Sequence, residues 1–166
     1  MAPGDALGIA AQVAVALAGF AGVVVAFRSG SVHDWSPSDK FRLRLLLANS
    51  IFPLVFSMFA SVLLAVNPPP VAIWRWCSGF AVLILLVFSA ITRGGFRSLP
   101  ERAKKAGASR LLFYPIAVLG TAVMLLQVYN IAFLNAFWPF YAAIVFQLVV
   151  AIVQFARFIV LPPQPD

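Results

Sequence analysis

Five times along this chain, an apolar run long enough to cross a bilayer passes almost without a charged residue. The runs cover 7–27, 43–66, 71–91, 111–131 and 138–161. A helix rises about 1.5 Å per residue, so each run matches the ~30 Å hydrocarbon core of a membrane. Hydrocarbon supplies no hydrogen bonds, and an isolated segment satisfies its own backbone there only as a helix. The expected fold is therefore all-α: a polytopic bundle of five transmembrane helices forming a single domain over residues 1–166. Composition argues the same way. Apolar residues make up 63% of the chain and charged residues 10%, against about 45–50% and 25% in soluble domains. That excludes a soluble enzyme, a disordered tail and a secreted disulfide scaffold, the last also because Cys77 is the single cysteine.

Local signals set the ends of the spans. The first run is preceded by Asp5 and by no basic residue. A secretory leader has a basic start and a small-residue cleavage site, so this run reads as a retained span. Ser36-Pro37-Ser38-Asp39 predicts a helix start near Pro37, with Ser36 capping the free amides. Pro53 should bend the second helix, with a neighbour or Ser57 serving the freed carbonyl. Asn67-Pro68-Pro69-Pro70 predicts a tight turn. Trp74-Arg75-Trp76 has the amphipathic character of an interface belt. Ser98-Leu99-Pro100-Glu101 is a second capping box, predicting a short surface helix to about Ala106. Pro115 interrupts the fourth run, and Trp138-Pro139 opens the fifth. No repeat is visible, and an odd number of spans argues against an inverted duplication of the whole chain.

The chain carries a net charge of +7. In a soluble domain this excess would point to nucleic acid; here its position points to orientation, and no nucleic-acid partner is expected. Ten of the 12 basic residues are Arg28, Lys40, Arg42 and Arg44 around the first loop, and Arg93, Arg97, Arg102, Lys104, Lys105 and Arg110 around the third. Basic loops stay in the cytoplasm. Loops 28–42 and 92–110 are thus expected to be cytoplasmic, with the N terminus outside and the C terminus, beside Arg157, inside. A re-entrant hairpin of the last two runs would place the C terminus on the same side. The second basic group, Arg93 to Arg110, is expected to meet anionic lipid headgroups, at about 1 kcal/mol per basic side chain.

Two patterns inside the spans are candidates for function. Ala10, Ala14, Ala18, Gly22 and Ala26 recur every four residues in the first span, beside Gly19. Small residues let helix backbones approach closely. The stripe is either a seam between protomers or a packing face against another span of the same chain. Uncharged polar residues also fall at membrane depth: Asn49, Ser50, Ser57 and Ser61, then Gln127 and Asn130, then Gln147 and Gln154. Ala143, Gln147, Gln154 and Arg157 share one helical face. Such a face either lines a narrow polar path or hydrogen-bonds between helices, with Arg157 snorkelling to the surface.

Other chemistry is missing from the sequence. No Asp, Glu, His or Lys lies in the core of a span. Proton coupling, a retinal Schiff base and a voltage-sensing arginine ladder all need such residues or their equivalent. No phosphate loop, dinucleotide fingerprint or potassium-type filter is present. His33, Asp34 and Asp39 form a loop cluster in which Asp39 reads as a cap. Cys77 has no base near it in sequence and reads as a packing residue. The lone histidine, His33, cannot by itself form a typical multi-ligand metal site. No catalytic residue, cofactor or metal is expected, and the chain is read as a non-enzyme.

Ala18-Gly19-Phe20 through Ala26-Phe27-Arg28, Arg42-Leu43-Arg44, Phe137-Trp138-Pro139-Phe140-Tyr141 and Gln154-Phe155-Ala156-Arg157 resemble a family of small multi-span bacterial inner-membrane proteins without assigned activity. The resemblance implies a bacterial inner membrane and carries over no functional residue. Two functions remain as expectations. One is a homo-oligomeric pore for an ion or small solute, lined from Gln147, Gln154, Arg157, Gln127, Asn130 and Asn49. The other is a non-catalytic accessory or scaffold subunit of a membrane complex.

Overall fold

A computed structural model describes residues 1–27, 35–66, 68, 71–97 and 110–160. The helices are α1 (Pro3–Phe27), α2 (Pro37–Ala65), α3 (Ile73–Arg97), α4 (Arg110–Tyr129) and α5 (Phe137–Val160). A π-helical turn, Asn130–Leu134, closes α4. All five helices are long and apolar enough to cross a membrane. The chain is an all-helical integral membrane protein. Its helices alternate in direction, so one end of the bundle collects Lys40, Arg42, Arg44, Arg93 and Arg157, while Arg75 sits at the other. These are called the basic end and the far end below.

The predicted start of α2 holds. Pro37 occupies the first turn, and Ser36 Oγ accepts from the Asp39 amide at 3.2 Å. The Asp39 carboxylate turns to Arg42, 3.5 Å away. The third helix runs further than the apolar run did, through Arg97 rather than Ile91. Thr92 and Arg93 continue its turns, because a polar residue at a membrane surface does not stop a helix. The predicted surface helix to Ala106 lies outside the described residues, as do His33 and Asp34.

The centre of the bundle is α2, which packs against α1, α3 and α5. Its contact with α3 is aromatic. Phe59 stacks on Phe80 with centroids 4.3 Å apart, and Phe52 meets Phe88 edge-on at 4.9 Å. Pro53 is fully buried in α2. Among the described residues the Ser57 hydroxyl has no hydrogen-bond partner, so it does not serve the carbonyl that Pro53 frees. The outer surface is apolar: Phe20, Leu83, Leu125 and Phe133 are all exposed. That surface suits lipid contact and would be a liability in water.

On α1 the buried seam is Leu7, Ala10, Ala14, Leu17 and Ala21. The four-residue stripe read from the sequence leaves this seam. Ala10 and Ala14 are buried, Ala18 is half-buried, and Gly22 and Ala26 are exposed. The reason is geometric. Four residues turn a helix about 400°, so a strict four-residue stripe drifts about 40° per step. Alternating steps of three and four keep to one side, as in a coiled coil.

Candidate functional site

The polar side chains within the spans fall into three tiers. The tier at the far end is built around Ser78. Its hydroxyl donates to Gln127 Oε1 at 2.9 Å and accepts from Asn130 Nδ2 at 2.8 Å. Gln127 Nε2 donates onward to the Pro139 carbonyl at 2.7 Å. Asn130 holds the α4–α5 connection from both sides: Nδ2 donates to the Ala136 carbonyl at 3.1 Å, and Oδ1 accepts from the Ala136 amide at 2.9 Å. Ser78, Gln127 and Asn130 are fully buried. The sequence singled out Gln127 and Asn130, and the structure joins them through Ser78, which the sequence reading passed over.

Asn135 extends this tier to the surface. Its φ of 47° is left-handed, a conformation that asparagine tolerates better than most residues. Its side chain accepts from the Arg75 amide at 3.3 Å and donates to the Val71 carbonyl at 3.0 Å. The α4–α5 hairpin is thereby fastened to the start of α3.

The tier towards the basic end is Asn49 with Gln154. Asn49 Nδ2 donates to the Leu45 carbonyl at 2.8 Å and to Gln154 Oε1 at 3.2 Å. This pair forms part of the wall of a cleft of about 520 Å³ between α2, α3, α4 and α5. The volume falls within the range of ligand sites, about 300–1,000 Å³. Phe88, Ile116, Phe146 and Val150 supply apolar walls, and Ser89, Thr92 and Arg93 lie along the α3 side. Among the described residues, no acidic side chain lines it.

Between the two lies a sparse middle tier. Gln147 is buried and its Oε1 has no partner among the described residues; the same holds for Ser57 Oγ. Gln147 sits about 10 Å along α5 from Gln154, and Ser57 about 12 Å along α2 from Asn49. Phe56, Phe140 and Ile144 fill the core around this level. The six predicted residues therefore separate. Gln127 and Asn130 belong to one network, Asn49 and Gln154 to another, and Gln147 stands alone. Arg157 is half-buried at the basic end. The face carrying Ala143 and Gln147 is turned into the chain itself, both residues being buried.

The residues for chemistry are few. Cys77 is completely buried in the core. Among the described residues, no three His, Cys, Asp or Glu side chains come together to hold a metal.

Gln12 is a further polar residue that the sequence does not single out. It lies mid-span on α1, is exposed on the outer face, and has no hydrogen-bond partner among the described residues. Gly8, Gly19, Gly22 and Ala26 are exposed on the same side of that helix, and the space around each of the three glycines is open. The signal was available: an amide in the middle of an otherwise apolar first span.

No family model matches the chain, and no curated protein or solved structure is significantly similar to it.

Proposed function

We propose that this protein is a non-enzymatic accessory or scaffold subunit of a membrane assembly, associating through the outer face of α1. Gln12 carries the reading. An amide facing hydrocarbon without a partner costs on the order of 1–3 kcal/mol by mutational measures, and a second helix laid on that face supplies the partner. The exposed Gly8, Gly19 and Gly22 let such a helix come close. In this reading the protein sits in a bacterial inner membrane with its basic loops in the cytoplasm, its N terminus outside and its C terminus inside. The basic residues from Arg93 to Arg110 then rest against anionic headgroups.

The test is native mass spectrometry after gentle extraction from native membranes. The wild-type chain is expected in a discrete assembly, with copies of itself or with another protein. Gln12→Leu and Gly19→Leu should each release the monomer with helical content unchanged. An assembly of the same mass in both variants would sink the proposal.

A second reading, a narrow pore, has one observation in its favour. The unpartnered Gln147 Oε1 and Ser57 Oγ lie between two polar tiers, where water would satisfy them. Such a path would run inside one chain, since the Gln147 face is not offered to a neighbour. Gln147→Leu should then abolish flux of small ions in proteoliposomes; unchanged flux would remove the pore from consideration.

A further inference from the structure

We propose that the cleft between α2, α3, α4 and α5 binds one acyl chain of an anionic phospholipid, with the headgroup on Arg93 and the ester region on the Asn49–Gln154 pair. The inference rests on the protein lying in a membrane, and on neither the association nor the pore reading.

Three layers of chemistry follow one another down the cleft. Arg93 is exposed at the basic end of α3. Among the described residues it meets no acidic side chain there. Among the described residues the acidic side chains are Asp39, engaged with Arg42, and Asp5, at the opposite end of the bundle. Among the described residues, then, nothing compensates the charge at the mouth, which suits an anion. One helical turn deeper, about 6 Å along α3, comes Ser89. The Phe52–Phe88 ring contact sets the register of α2 against α3 and places Asn49 within a turn of that level. The Asn49–Gln154 bond uses Asn49 Nδ2 and Gln154 Oε1. Asn49 Oδ1 and Gln154 Nε2 have no partner among the described residues, and Gln154 Nε2 is a donor suited to an ester carbonyl. Deeper still the walls are apolar, formed by Phe88, Phe146 and Val150.

A phospholipid has the same order: a phosphate at the surface, ester carbonyls about a turn below, then hydrocarbon. A free fatty acid carries its charge and its carbonyl in one group and fills only one of the two polar layers. The cleft's size suits a single chain, and its place among membrane-spanning helices gives a lipid tail access from the bilayer.

The test loads the detergent-solubilised full chain with equal amounts of phosphatidylglycerol and phosphatidylcholine of matched acyl chains, and reads retained lipid by native mass spectrometry. The wild type is expected to retain phosphatidylglycerol about fivefold over phosphatidylcholine, the contribution of one basic group near an anionic lipid. Arg93→Gln should make the two equal. Arg44→Gln, exposed at the same end but outside the cleft, should keep the preference. Ala117→Trp, which fills the cleft from α4, should lose both lipids. Equal retention by the wild type, or equal loss of preference in Arg93→Gln and Arg44→Gln, would overturn the proposal. So would lipid retention by a folded Ala117→Trp. If Ala117→Trp does not fold, the comparison of the two arginine variants decides alone.

Discussion

Asn49 and Gln154 lie 105 residues apart in sequence and share a hydrogen bond of 3.2 Å, joining α2 to α5 within the membrane. Bonds of this kind matter because lipid provides no hydrophobic force between helices. Association rests on close packing and on polar contacts of about 0.6 to 2 kcal/mol each. Replacing either residue with leucine should lower stability by about that amount. The double variant should cost less than the sum of the single ones. A double-mutant cycle followed by unfolding in mixed micelles checks this; strict additivity would mean that the two amides are not coupled.

Ser78→Ala removes the group that links Gln127 to Asn130. Each amide then loses a partner in a buried site, and the expected cost is about 1–3 kcal/mol. Ser61→Ala, at an exposed position of α2, should change stability by less than about 0.5 kcal/mol. The two variants differ from their parent in the same way, so the contrast isolates the network. Equal effects in a denaturation series would contradict it.

The close approach of α1 is expected to be intolerant of bulk on one side only. Ala14 is 1% exposed, and Ala14→Leu should cost about 1–3 kcal/mol through overpacking. Gly22→Leu meets open space and should leave the isolated chain as stable as before. Thermal unfolding of both proteins in the same detergent distinguishes the faces. A destabilised Gly22→Leu monomer would show that the face is already covered.

Asn135 combines a left-handed backbone with two side-chain bonds, and two substitutions separate these contributions. Asn135→Gly keeps the backbone conformation and loses the bonds to Arg75 and Val71. Asn135→Ala loses the same bonds and adds about 1–2 kcal/mol of left-handed strain. Alanine should therefore be the worse replacement. Equal costs in an unfolding assay would place the effect in the side-chain bonds alone, and a glycine worse than alanine would contradict the left-handed strain.

Much of this architecture is legible without coordinates, because membrane-spanning helices are specified by length and polarity alone. The start of α2 at Ser36 and Pro37 was equally readable, since a cap is a local device within four residues. The packing seam of α1 is legible only in part. Small residues announce a close contact, but which of them face inward depends on the 3.6-residue period, from which a strict interval of four drifts. The pairings of Asn49 with Gln154 and of Ser78 with Gln127 and Asn130 were not readable, because they depend on how antiparallel helices slide against one another. Ser78 gave little warning: a lone serine in an apolar helix usually bonds its own backbone, as Ser50 does to the Leu46 carbonyl. The cleft has no signature in sequence, since it is a space that side chains leave unfilled.

Asn49 gives the order of synthesis a physical meaning. The ribosome completes α2 long before it reaches Gln154, so the Asn49 amide enters the bilayer ahead of its partner. Its second bond, to the Leu45 carbonyl one turn back at 2.8 Å, needs nothing beyond α2 itself. That local contact gives the nascent helix an acceptor of its own until α5, made later, brings Gln154 to it.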